Sequence, residues 1–340
     1  MTALNLPSQK SSAKNDSNVR AMSVRRDARQ VIALLELVFK QHLRSAGHHT
    51  IAPSFSFQDF FAGRDQVVPG FVYSLNGQIV GNVSILESKT AGRYLIANVA
   101  VHPDFRRRGI AREMMTKVIR YIKGRSGHQV VLQVESDNEN AVDLYKKLGF
   151  HAVGALRDWR MNWYALKSIA VRPPANRRSP DDYGEFIVRP LRSEDTKSVR
   201  KLDAYLFPKN LNWPDAPDKK YYQRGVQSFF YRLFSGINHE IWVCESKNRD
   251  LVGMGIIENE VGRPYTLKVR VIPEWASLVE RPLMAKLSRR LQYMRSKSIS
   301  VQQNAAHHTI EPLLREAGFG LKRTLTVMQL DIPKASNRIG

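Results

Sequence analysis

The segment that most constrains the fold is residues 94–150, which reads as strand, loop, helix, strand, helix. It opens with Tyr94-Leu95-Ile96-Ala97-Asn98-Val99-Ala100-Val101, an apolar run short enough and rich enough in β-branched residues to be a buried strand. His102-Pro103 stops it. Asp104-Phe105-Arg106-Arg107-Arg108-Gly109-Ile110-Ala111 follows, and Ile110, Met114, Met115, Val118, Ile119 and Ile122 then recur at helical spacing. A glycine loop between strand and helix aims backbone N–H groups and the positive end of the helix dipole at one point, which suits a phosphate. Gly109 and the small Ala111 allow close approach, and the arginines add charge. A second strand is expected at Val130–Val134. After it, Ala141, Leu144, Tyr145 and Leu148 share a helix face, Ser136 and Glu139 have capping-box spacing, and Gly149 is placed to end the helix.

These stretches resemble the two signatures of the GNAT superfamily of acyl-CoA-dependent N-acetyltransferases. Arg106-Arg107-Arg108-Gly109-Ile110-Ala111 is similar to its Gln/Arg-x-x-Gly-x-Gly/Ala pyrophosphate loop, and Asn138-x-x-Ala141-x-x-Leu144-Tyr145-x-x-x-Gly149-Phe150 to its second motif. The resemblance implies transfer of an acetyl group from acetyl-CoA to a primary amine in a ternary complex, without a covalent acyl-enzyme and without a metal. It implies that the strand carrying Val99, Ala100 and Val101 bulges and offers its backbone to the pantetheine arm. Arg106, Arg107, Arg108, Gly109, Ile110 and Ala111 would bind the pyrophosphate, Asn138 would hydrogen-bond the arm, and Tyr145 would protonate the departing thiolate. Asn138 equally suits a helix N-cap, and the two roles are compatible. Without the resemblance, a tyrosine on an apolar helix face would read as core. The family's glutamate base would fall near Ala97 and Asn98, so the chain departs from the pattern there. Glu87 and Glu135, acting through water, are the candidates, each also readable as a surface carboxylate; His102, before a proline, reads as structural.

The chain has 340 residues, enough for two domains. Its longest apolar stretch near the N-terminus, Val31–Phe39, is interrupted by Glu36 and far shorter than a membrane span, and residues 1–18 read as a disordered leader. Cys244 is the single cysteine, which excludes an intramolecular disulfide and a cysteine-based metal site; it reads as a small buried apolar residue. The histidine pairs His48-His49 and His307-His308 have no carboxylates at metal-ligand spacing. A cytoplasmic protein is expected. The net charge of +22 is spread over both halves. Dispersed cations on solvated faces are favoured over a dedicated nucleic-acid surface, for which no aromatic-studded motif is present.

A first strand is expected within Val19–Ser23, a helix over Asp27–Leu43, and a hairpin about Asn76-Gly77. Residues 44–68, with Phe55, Phe57, Phe60 and Phe61, would wall the acceptor cleft or pack as core, and His151–Ala165 would form two more strands. Residues 168–185 read as a linker. Beyond them the pattern repeats: Val188-Arg189 with Asp195 follows Val19-Arg20 with Asp27, Val271–Trp275 follows Val101–Phe105, and Gly318-Phe319 follows Gly149-Phe150. The expectation is an α/β (α+β) chain of two tandem GNAT-like domains, 19–167 and 186–332, with a tail at 333–340. Each would be a mixed, mostly antiparallel sheet flanked by helices. In the second copy Ala276, Val279 and Arg281 replace Arg106, Gly109 and Ala111, and His307 and Leu314 replace Asn138 and Tyr145. That copy reads as non-catalytic. The acceptor reads as a protein or peptide N-terminal amine or a small-molecule amine; the class-level alternative is an acyl-CoA sensor or an RNA- or ribosome-associated binding protein.

Overall fold

The computed structural model describes residues 18–45, 70–167, 185–208, 237–260 and 263–333, together with 211, 217 and 219–223. The expected aromatic wall at Phe55–Phe61, the His48-His49 pair, the leader and most of the linker lie outside the described residues. Among those described, no helix is long and apolar enough to cross a membrane.

The N-terminal half begins with β1 (Val19–Ala21) and α1 (Val24–Ser45), whose Val31, Leu34 and Leu35 are buried against Val72, Ile79 and Ala100. β2 (Phe71–Leu75) and β3 (Gln78–Glu87) form the expected hairpin, and Asn76 and Gly77 take the positive φ values, 48° and 80°, that a two-residue turn of this twist demands. β4 (Arg93–Val101) pairs antiparallel with β3. Then come α2 (Ile110–Gly124), β5 (Gln129–Glu135) parallel to β4, α3 (Glu139–Lys147) and β6 (His151–Met161). The apolar stripe of α2 and the inward residues of β3, β4 and β5 make one core.

The C-terminal half repeats the order: β7 (Phe186–Pro190), α4 (Thr196–Leu206), β8 (Ile237–Ser246), β9 (Leu251–Glu260), β10 (Tyr265–Val271), α5 (Glu280–Gln292), β11 (Ile299–Asn304), α6 (Glu311–Glu316) and β12 (Gly320–Asp331). The duplicated Arg–Asp pairs are real contacts in both halves. Arg20 is bidentate to Asp27, at 2.6 and 2.9 Å, and Arg189 to Asp195, at 2.7 and 3.0 Å.

The twelve strands of the described residues join one sheet in the order β1-β2-β3-β4-β5-β12-β6-β11-β10-β9-β8-β7. β12, the last strand of the second repeat, lies antiparallel beside β5 of the first, and β6 lies antiparallel beside β11 of the second. The two repeats have therefore exchanged their final strands. This corrects two expectations. His151–Ala165 yields one strand and a short 3-10 turn at Trp163–Ala165, because the chain leaves its own lobe instead of turning back. The sequence boundaries also cut across the spatial lobes, since the first lobe is completed by residues 320–331 and the second by 151–161. A shared apolar layer seals the joint, with Leu95, Val131, Leu156, Leu325 and Val327 buried together with Phe207 and Leu211 from the second repeat.

Candidate active site

The hydrogen bonding of β4 fixes the site. Its ladder with β3 runs from Tyr94 to Ala97, then slips, with Ser84 opposite Ala97 and Asn82 opposite Ala100. The extra residue is accommodated at Asn98-Val99, where Asn98 takes φ 52°. On the other side β4 pairs with β5 only as far as Ile96↔Leu132. Beyond that point the two parallel strands separate, leaving Ala97–Val101 without a strand partner on that edge among the described residues. The bulge and the gap coincide, so the backbone of Val99, Ala100 and Val101 faces an opening at the C-terminal end of a parallel pair.

A buried asparagine holds the bulge. Asn82 is fully buried and donates through Nδ2 to the Asn98 carbonyl at 3.0 Å and to Ser84 Oγ at 3.3 Å, while Asn98 Nδ2 reaches the same hydroxyl. Sequence reasoning passed over Asn82; the available signal was a polar residue inside the apolar run Ile79–Ile85.

The turn after β4 brings the basic loop to this opening. Pro103–Phe105 form a 3-10 turn whose N-cap is His102, its Nδ1 accepting from the Asp104 amide at 3.4 Å, which fits the structural reading of that histidine. Arg107 has φ 61° and Gly109 φ 79°, and Gly109 is the N-cap of α2. A Cβ at Gly109 would meet nothing within 4 Å, so glycine is required here by its backbone angle and not by packing. The first amides of α2 have no intrahelical acceptor and point outward at this loop. Arg106 donates to the Val101 carbonyl at 3.3 Å; Arg108 donates to the Asp104 carbonyl at 3.0 Å and lies over the Phe105 ring. From Gly109 a surface groove of about 390 Å³ runs along α2 past Arg112, Glu113, Thr116, Lys117 and Arg120, three cations against one carboxylate. The sequence showed those cations only as the polar face of a helix.

Asn138 is the N-cap of α3, its Oδ1 accepting from the Ala141 amide at 3.2 Å. The expected Ser136–Glu139 capping box gives way to it, and the Ser136 hydroxyl bonds Thr326 of β12 at 2.8 Å instead. Tyr145 is 6% exposed, in the core against which Val99 and Val101 also pack, and its hydroxyl makes no hydrogen bond among the described residues. Burial raises its pKa, so it keeps its proton throughout the neutral range.

The two candidate carboxylates separate. Glu135 ends β5 at the mouth of the gap, half-buried, with Arg323 of β12 at 3.9 Å; Arg323 also holds Asp158 at 2.7 Å. Glu87 is exposed at the opposite end of β3, its register partner Tyr94 lying four residues before Asn98, about 13 Å along the strand. The structure brings Glu135 to the opening and leaves Glu87 away from it.

Residues 32–150 match the family model described as Acetyltransferase (GNAT) family. This segment is a GNAT domain. The chain is 35% identical over 96 residues to an uncharacterized N-acetyltransferase of Methanocaldococcus jannaschii, covering 26% of this chain and 42% of that protein. It is 32% identical over 106 residues to the peptidyl-lysine N-acetyltransferase YiaC of Escherichia coli, covering 29% and 66%. The matches thus span about half the length of those relatives. The whole fold is similar to a tandem GNAT protein from the clavulanic acid biosynthesis pathway, at TM-score 0.56 and 13% identity over 93% of this chain and 99% of that one. Two GNAT folds in tandem therefore make up the chain.

Proposed function

We propose that the GNAT domain transfers the acetyl group of acetyl-CoA to a primary amine by direct attack in a ternary complex. One observation carries the reading: the bulge at Asn98-Val99, the end of β4–β5 pairing and the left-handed Gly109 at the head of α2 meet at one opening. An acyl-thioester nucleotide supplies an activated carbonyl and a diphosphate, and this opening offers groups suited to both. The amides following Gly109 and the arginines of 106–108 would hold the diphosphate. The unpaired edge of Val99–Val101 and the amide of Asn138 would hold the arm, and Arg112, Lys117 and Arg120 extend the cationic track along α2.

Positioning a thioester against an amine is worth several kcal/mol of the barrier. The remaining steps are proton transfers. An amine with an ordinary pKa is protonated at neutral pH and must lose a proton before it attacks. Glu135, at the mouth of the gap, is the group we assign to receive it through water, in preference to Glu87. Tyr145, buried, without a hydrogen bond among the described residues and held protonated, is the acid for the leaving sulfur. No cysteine stands in residues 1–167, consistent with direct transfer.

For the acceptor we favour an amine on a protein or peptide. The Escherichia coli relative is named for a peptidyl-lysine substrate, and a net charge of +22 disfavours polycationic small amines. The test is release of free CoA from acetyl-CoA against peptides with free N-termini, peptides with lysine, and small amines. Turnover with a peptide panel supports the reading. Acetyl-CoA binding without release on any acceptor would make the protein a sensor, and salt-dependent RNA binding that survives Gly109→Glu would favour a nucleic-acid role.

A further inference from the structure

The opening of the GNAT domain has a counterpart in the C-terminal lobe. β10 and β11 pair only as far as Leu267↔Val301, then separate as β4 and β5 do. The space between them is a cavity of about 240 Å³. The turn leading to its helix has kept its path: Pro273–Trp275 is again a 3-10 turn, and Ser277 has φ 69° where Arg107 has φ 61°. The side chains on that path have reversed in charge. Arg106, Arg107 and Arg108 correspond to Ala276, Ser277 and Leu278. The left-handed Gly109 corresponds to Val279, fully buried with right-handed backbone, and Ile110 to Glu280. A carboxylate therefore occupies the helix N-terminus and itself complements the dipole, where a phosphate would be repelled. The bulge is gone too, since the β9–β10 register runs unbroken from Thr266↔Glu258 to Val271↔Gly253.

Glu280 is 3% exposed and lines the cavity. Its Oε1 accepts from the Thr309 hydroxyl at 2.6 Å, while Oε2 is buried with no hydrogen-bond partner among the described residues. A carboxylate oxygen withdrawn from water with no donor is costly. The other charged groups at the cavity do not serve it. Arg270 donates to Asp203 at 2.9 Å and lies over the Phe207 ring at 4.3 Å, and Asp203 also takes the Tyr222 hydroxyl. His307 has its pKa lowered by burial and by Arg270 against the pull of Glu280, so it is neutral at pH 7, and His308 is exposed. Arg281, the next residue of α5, is bidentate to Glu316.

We propose that this cavity binds a small primary amine, whose ammonium group donates to Glu280 Oε2 while its alkyl body lies against Val269, Val271 and Ile310. The duplicated cleft would then have exchanged an anion-binding loop for a cation-binding one. The inference is independent of the reaction assigned to the GNAT domain.

Titration of the full chain with n-butylammonium, n-butanol and butyrate, followed by calorimetry and by the NMR signal of His307, tests it. The expected result is saturable binding of n-butylammonium that moves the His307 signal, with neither the alcohol nor the carboxylate competing. Glu280→Gln should weaken that binding by about tenfold or more, the worth of a charge-assisted hydrogen bond. Gly109→Glu, which acts on the other cleft, should leave it unchanged. If Glu280→Gln does not fold, Thr309→Val, which frees the carboxylate to turn, should still weaken binding several-fold. Absence of a saturable His307 shift, equal affinity in the Glu280→Gln protein, or preference for butyrate would overturn the proposal.

Discussion

Leu156 and Leu325 are register partners at the centre of the sheet, each on the final strand of its own repeat. Each also pairs into the other repeat, Leu156 with Asn304 of β11 and Leu325 with Glu135 of β5. The two contacts are equivalent under the duplication, so a local two-fold axis passes between the leucines. The strand exchange has the geometry of a swapped dimer whose two protomers have been joined into one chain.

That geometry predicts the behaviour of the isolated N-terminal repeat. A fragment of residues 18–167 lacks β12, so its β5 has an open edge and Val131 loses its cover. Its own β6 is the counterpart of β12 and can fill that place in a second copy. The expected product is a symmetric dimer whose melting temperature rises with concentration, read by light scattering and calorimetry. A stable monomeric fragment would show the exchange to be dispensable.

Within the intact chain, Leu156→Ala should cost about 2–4 kcal/mol, because the side chain is fully buried in the layer that seals the two lobes. Leu325→Ala removes the facing half of the same contact. The double variant should lose less than the sum of the singles in denaturant unfolding, since a shared cavity couples them. Strict additivity would mean that the two side chains do not support each other.

The local elements were legible in the sequence because each rests on short-range chemistry. Asn76-Gly77 supplies the turn angles, the apolar stripe of α2 recurs at helical spacing, and Gly109 has the positive φ that its loop requires. The strand exchange was not legible. β6 and β12 are duplicates of one another, so their side-chain patterns suit either lobe equally, and only the sheet as a whole selects the partner. Asn82 was hidden for a different reason, since its role depends on a register slip in the neighbouring strand. Glu87 and Glu135 looked alike as sequence, and strand direction alone separated them.

The Arg20–Asp27 pair predicts how the N-terminal lobe responds to acid. Asp27 is buried, accepts from both Arg20 nitrogens and from the Ser23 amide at 2.7 Å, and its pKa is held below the ordinary carboxylate range, Arg20 being the main cause. A carboxylate with a lowered folded pKa gives stability that is full above its unfolded value, near 4, and is lost as pH falls further. Asp27→Asn should therefore destabilise the protein by about 1–3 kcal/mol at pH 7 and by progressively less below pH 4. A stability difference that stays constant from pH 7 to pH 3 would remove the ion pair as the cause.

Asn82 is expected to act on the site through the bulge. Asn82→Ala frees the Asn98 carbonyl, and a regular ladder would then withdraw the unpaired edge of Val99–Val101 from the opening. Acetyl-CoA affinity should fall about tenfold while the pH dependence of turnover keeps its shape, because no titrating group has been touched. Unchanged affinity, measured by calorimetry, would limit Asn82 to packing.

Tyr145→Phe separates the acid role from a core role by a single atom. The ring stays in its place beside Phe150, at 5.9 Å between centroids, and only a hydroxyl with no protein hydrogen bond among the described residues is removed. The cost in stability should be under about 1 kcal/mol, since no buried partner is left unsatisfied. If the hydroxyl protonates the leaving sulfur, turnover should fall by about 10²-fold or more with little change in acetyl-CoA affinity. The alkaline limb of the rate profile should respond as well. Burial raises the Tyr145 pKa, so the wild-type hydroxyl stays protonated beyond the pH at which an ordinary tyrosine ionises, and a fall in turnover that begins well below that pH has to come from another group. Full activity in the Tyr145→Phe protein would assign the tyrosine to the core alone.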